Sequence, residues 1–137
     1  GLRCCRQRRV SAIEAPNQTA SHPMPDHMLH LRIDLAPGTQ LGPGKAMLLE
    51  KISETGSIAA AGRSMGMSYK RAWYLVDTLN GYFHAPLVVS SKGGKAGGGA
   101  TLTPLGAQVL ALYRHMEDTA EVATHADLDA LRSLVTG

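Results

Sequence analysis

The sequence predicts a mainly α fold with a small β-hairpin, and three observations predict it. The first is the stretch Ser57 to Asn80, which reads as two short helices around a tight turn. The second is a pair of short extended pieces, Leu87 to Val89 and Thr101 to Thr103, on either side of a loop rich in glycine and lysine. The third is an apolar stripe at helical spacing, Leu105, Val109, Leu112 and Met116, that begins just after Thr103-Pro104. Two short helices, a hairpin and a long closing helix, in that order, describe a winged helix-turn-helix with a long carboxy-terminal helix.

The 137 residues suffice for one domain, and a hydrophobic content of 44% permits a true core. Net charge is +3, and its placement says more than its size. From Arg63 to Lys95 the basic residues Arg63, Lys70, Arg71, Lys92 and Lys95 face one acid, Asp77. After Arg114 the acids Glu117, Asp118, Glu121, Asp127 and Asp129 face only Arg132. A basic middle suits a polyanion, and an acidic end suits solvent or protein. Cys4 and Cys5 are adjacent and poorly placed to bridge each other, so a reducing, cytoplasmic setting is expected. No stretch reaches the roughly 18 apolar residues of a membrane helix, and the basic start lacks the apolar core of a secretory signal.

Residues 1–28 read as a disordered basic tail, with Arg3, Arg6, Arg8 and Arg9 followed by Pro16, Pro23 and Pro25. Residues 29–137 read as the winged helix-turn-helix domain. Leu29, Leu31, Ile33 and Leu35 alternate with polar residues, a half-buried strand ending at Pro37-Gly38. A loop, Leu41 to Gly44, leads into a helix near 45–55, with Met47, Leu48 and Ile52 as its apolar stripe and Gly56 as its stop. Ser57 then starts the first short helix, with Ile58, Ala61 and Met65 on one face, and Gly66 ends it. Ser68 caps the second, whose inner face is Ala72, Leu75, Val76 and Leu79. Lys70, Trp73, Tyr74 and Asp77 fall on its outer face. Thr103 and Pro104 cap and open the last helix, expected over about 104–125 as a dimerisation helix, with a separate amphipathic segment at Leu128 to Val135.

Aromatic side chains make up only 4% of the chain, so Trp73 and Tyr74 off the apolar stripe and beside Lys70 and Arg71 suggest a contact surface. The second helix would lie in the major groove, its first residues nearest the base edges. The glycine-lysine loop is not a nucleotide-cradling loop, because Ala96 follows Lys95 where serine or threonine is required. Lys92 and Lys95 instead suit approach to backbone phosphates. His22, His27 and His30 with Asp26 match no metal-ligand spacing, and His84 and His115 have no nucleophile placed beside them. The expectation is therefore no metal, no cofactor and no catalysis.

From Leu41 to Tyr113 the chain resembles the amino-terminal DNA-binding domain of the molybdate-dependent, ModE-type transcriptional regulators. The matching pieces are Gly56-Ser57-Ile58, Gly66 to Trp73, Asn80, Leu87-Val88, Gly93 to Ala100 and Leu102 to Gly106. More loosely it resembles LysR-type DNA-binding domains, in which a Leu-Thr-x-x-Gly run also follows the wing. The resemblance implies a winged helix domain with an early strand, a homodimer joined by its long helices, and palindromic duplex DNA as target. The full-length regulators carry molybdate-binding domains after this module; with the sequence given ending at Gly137, the expectation is a stand-alone module with no assigned effector, the alternative being a fragment of a longer chain.

The functional expectation is a homodimeric, sequence-specific regulator. Ser68, Tyr69, Lys70, Trp73 and Tyr74 meet the major groove, Arg71 and Ser57 take flanking phosphates, and Lys92 and Lys95 hold the backbone. Leu105, Val109, Leu112 and Met116 form the dimer interface. The alternatives are a winged-helix protein-interaction module that uses the same aromatic face, and a small oxyanion-binding protein that uses the glycine-lysine loop.

Overall fold

The computed structural model describes residues 29–91 and 99–136. The basic tail (with Cys4, Cys5, His22 and His27) and the wing tip carrying Lys92 and Lys95 lie outside the described residues. Two antiparallel strands, β1 (Ile33–Ala36) and β2 (Thr39–Leu41), come first. Helices α1 (Pro43–Thr55), α2 (Ile58–Ser64) and α3 (Tyr69–Tyr82) follow. A second hairpin, β3 (Val88–Ser91) with β4 (Gly99–Leu102), precedes the long α4 (Pro104–Ser133). This is the mainly α winged helix-turn-helix that the pattern predicts.

Side-chain caps set the helix starts where the sequence places them. Ser57 Oγ accepts from the Ala60 N–H, Ser68 Oγ from Arg71 N–H and Thr103 Oγ1 from Gly106 N–H, at 2.9–3.0 Å. Each takes up one of the amides that a helix start leaves without an intrahelical partner. The turn between α2 and α3 pivots on Gly66 at φ 75, in the left-handed region that side chains disfavour. The two helices can then touch because Gly62 faces Ala72. A Cβ at Gly62 would lie 2.9 Å from the Ala72 Cβ.

The core sits where α1, α2, α3 and the foot of α4 meet. Leu48, Leu49, Ile52, Val76, Leu79 and Leu87 are fully covered, and Ala100 of β4 closes the hairpin side. Asn80 anchors that hairpin to α3: its Oδ1 accepts from the Leu87 and Val88 amides at 2.8 and 3.0 Å, and its Nδ2 donates to Val88 O at 3.1 Å. The register Val88↔Leu102 through Ser91↔Gly99 fixes the base of the wing. Ala100 N–H donates to Gly56 O at 2.9 Å, so the wing is also tied to the start of the helix-turn-helix.

Several expectations need correction. The stretch around Leu41 is not only a loop; Thr39–Leu41 forms β2 and closes a hairpin over Pro37-Gly38. A bulge between Asp34 and Ala36 breaks the alternation, which leaves Leu35 half exposed. The last helix does not stop near residue 125. It runs unbroken to Ser133 and takes in most of the segment expected to be separate. Nothing from Ala107 to Val135 is glycine or proline, so no residue there breaks the helix. Trp73 is not free on the outer face; it is half-buried and packs against the core.

Candidate nucleic-acid interface

The outward face of α3 is built on a helix held at both ends. Ser68 caps its start and Asn80 locks its end to the wing, while Ala72, Val76 and Leu79 press the inner face into the core. Side chains on such a helix keep a fixed position relative to a ligand. Tyr69 and Tyr74 are 58% and 59% exposed, far more than aromatic rings of this size are when they serve a core. Lys70, Arg71 and Asp77 are exposed beside them.

Ring contacts order this surface. Tyr69 meets Trp73 edge-on with centroids 6.4 Å apart, so the half-buried indole acts as a platform for the exposed phenol. The Arg71 guanidinium lies 5.6 Å from the centre of the Tyr74 ring. That contact draws Arg71 towards the flank of α3 and leaves Lys70 as the unpartnered cation on the face itself among the described residues. The structure thus brings Ser68, Tyr69, Lys70, Arg71 and Tyr74 together on one exposed helix start, with Trp73 beneath them. Ser57 stands at the start of α2, half-buried, its hydroxyl oxygen already accepting from Ala60.

The residues expected at a dimer interface divide into two pairs. Val109 is buried in the core of the single chain, and Leu105 packs partly against that core. Leu112 and Met116 are 56% and 45% exposed. Sequence reasoning did not single out Arg32 and Lys45, which share a cleft with Arg71. They lie far from the helix-turn-helix in sequence, so no local pattern joins them to it.

A helix-turn-helix with a capped, basic-aromatic second helix and a wing tied to its far end is the architecture of a DNA-binding domain. Residues 45–107 match the bacterial regulatory helix-turn-helix proteins of the lysR family. The chain is 48% identical over 80 residues to the molybdenum-pterin-binding protein MopB of Rhodobacter capsulatus, covering 58% of this chain and 30% of MopB. It is 40% identical over 90 residues to the molybdenum transport protein ModE of Azotobacter vinelandii, covering 66% of this chain and 33% of that protein. To the DNA-binding transcriptional dual regulator ModE of Escherichia coli (strain K12) it is 39% identical over 71 residues, covering 52% of this chain and 27% of the regulator. Over residues 45–107 the chain is thus similar to the lysR-type helix-turn-helix, and its similarity to the ModE-type proteins takes in that same stretch. It spans about a third of the length of the curated relatives it matches.

Proposed function

We propose that the chain is a sequence-specific DNA-binding transcriptional regulator that works in the cytoplasm as a homodimer, by binding rather than by catalysis. The observation that carries this reading is the exposed start of α3, where Tyr69, Lys70 and Tyr74 project from a helix fixed by Ser68 and Asn80. Placed in the major groove, Ser68, Tyr69, Lys70 and Tyr74 meet base edges, Trp73 supports Tyr69, and Arg71 and Ser57 take phosphates at the flank. Lys92 and Lys95 hold the backbone from the wing.

No described helix is long and apolar enough to cross a membrane. The homodimer rests on α4. Its 30 residues span about 45 Å, and no described residue beyond Tyr113 is buried. Leu112, Met116 and Leu131 are left exposed along it, and Leu134 at its carboxy-terminal cap. Met116 and Leu134 are five turns of about 3.6 residues apart, so they lie on one face, and a second copy of that face would cover it. The molybdenum in the relatives' names is not carried over, because the match covers only about a third of those proteins.

Selection of bound duplexes from a random pool tests the reading. A dimer of two reading helices enriches an inverted repeat whose half-site centres are about one helical turn apart. Recovery of no enriched sequence, with capture of a protein through the Tyr69–Tyr74 face instead, would favour an interaction module.

A further inference from the structure

A cleft of about 400 Å³ opens between the first turn of α1, the β1–β2 hairpin and the flank of α3. Its walls bring together three cations from distant parts of the chain: Arg32, Lys45 and Arg71. Among the described residues no carboxylate lines it. Among the described residues none of the three is paired with an acid. Arg32 donates to Gln40 Oε1 at 3.2 Å, Lys45 Nζ lies 5.5 Å from the centre of the Tyr82 ring, and Arg71 rests on Tyr74. Three cations on one concave wall repel each other, and a bound negative charge relieves that.

The backbone adds donors to the same wall. Gly42 precedes α1 and has no side chain to cap it, and the first turn holds no acid. Pro43 has no N–H, and the Ala46 N–H is bonded to Gly42 O at 3.0 Å. The amides left at this helix start are those of Gly44 and Lys45, and both residues line the cleft.

We propose that this cleft binds one tetrahedral oxyanion of the phosphate class, held by Arg32, Lys45 and Arg71 together with the Gly44 and Lys45 amides. The group can arrive as a free anion or as a backbone phosphate of a duplex whose groove holds α3, because Arg71 belongs to both the cleft and the flank of that helix. The duplex source rests on the DNA-binding reading; the free-anion source does not.

The test uses Gly42→Asp and Arg32→Gln. Gly42 has φ −142, an extended conformation open to any residue, and a Cβ there meets nothing closer than 3.7 Å. An aspartate caps α1 and places a carboxylate where the anion sits, so the fold is kept or strengthened while the site is blocked. Amide shifts of Gly44 and Lys45 are followed by NMR, first with orthophosphate and then with duplex DNA. In the wild type one of the two gives a saturable shift; Gly42→Asp weakens it by about tenfold or more, with an unfolding midpoint unchanged or raised, and Arg32→Gln weakens it without unfolding the chain.

Saturation by orthophosphate identifies a free-anion site, and saturation by duplex alone identifies a backbone-phosphate site. If the chain saturates with orthophosphate but binds no duplex, the cleft proposal stands and the DNA-binding reading falls. If duplex binds while neither ligand shifts these amides, or if both variants bind like the wild type, the cleft proposal is overturned and the DNA-binding reading survives.

Discussion

Tyr113 ties the foot of α4 to the strand end of the domain: it is 1% exposed, and its hydroxyl donates to Leu31 O at 2.7 Å. Burial, with the charge of Glu117 added, raises its phenol from 10.0 to about 12. A folded value above the unfolded one means that this stabilisation is complete below about pH 10 and is lost as pH rises through about 12. Tyr113→Phe should cost about 0.5–1.5 kcal/mol in urea unfolding at neutral pH, and it should flatten the alkaline loss of stability. An equal alkaline loss in both proteins would show that the phenol is not its source. Beside it, burial works against the charge of Arg114, but hydrogen bonds and charges from Glu117 and Glu50 outweigh that, and its value is raised. Trp73 and Tyr74 separate support from contact. Trp73→Ala should lower stability by roughly 1–3 kcal/mol because the indole is packed against the core. Tyr74→Ala should stay within about 0.5 kcal/mol of wild type in the same melts while weakening DNA binding.

At the scale of elements, α2 and α3 cross where Gly62 meets Ala72. Gly62→Ala gains helix propensity, yet its Cβ would stand 2.9 Å from the Ala72 Cβ. A net loss of about 1–2 kcal/mol is expected, with part recovered in Gly62→Ala/Ala72→Gly. Unchanged stability and unchanged DNA affinity in Gly62→Ala would mean that the crossing is not set there. These helices were legible because their signals are local: Ser57, Ser68 and Thr103 each bond an amide three positions on, and Gly66 takes the turn. β2 was not legible, because three residues with a single buried side chain carry no alternation. The extent of α4 was readable from the lack of any breaker after Gly106, but the changing pitch of its apolar residues suggested two pieces. The inward lean of Trp73 depends on what packs beside α3, and helical spacing alone placed it outside. The Arg32–Lys45–Arg71 cleft has no sequence signature, since three separate elements build it.

At the scale of the molecule, charge and apolar surface divide the work. Arg63, Lys70 and Arg71 sit on the helix-turn-helix, and α4 carries Glu117, Asp118, Glu121, Asp127 and Asp129 together with a row of uncovered apolar side chains. Leu112 is 56% exposed, so Leu112→Asp should leave the single chain folded and place a charge in the proposed apolar contact. Sedimentation at micromolar concentration should give a dimer for the wild type and a monomer for Leu112→Asp; a wild-type monomer would remove the dimer from the account. The measurement that bears most directly on α3 as the reader of duplex DNA is fluorescence anisotropy across a salt series, with a pool-selected duplex and a scrambled one. Log affinity should fall linearly with log salt, and the selected duplex should bind more tightly. Lys70→Ala should cost about 1–3 kcal/mol on the selected duplex and little on the scrambled one. Equal affinity for both duplexes, or binding indifferent to salt, would remove α3 as the reader of duplex DNA.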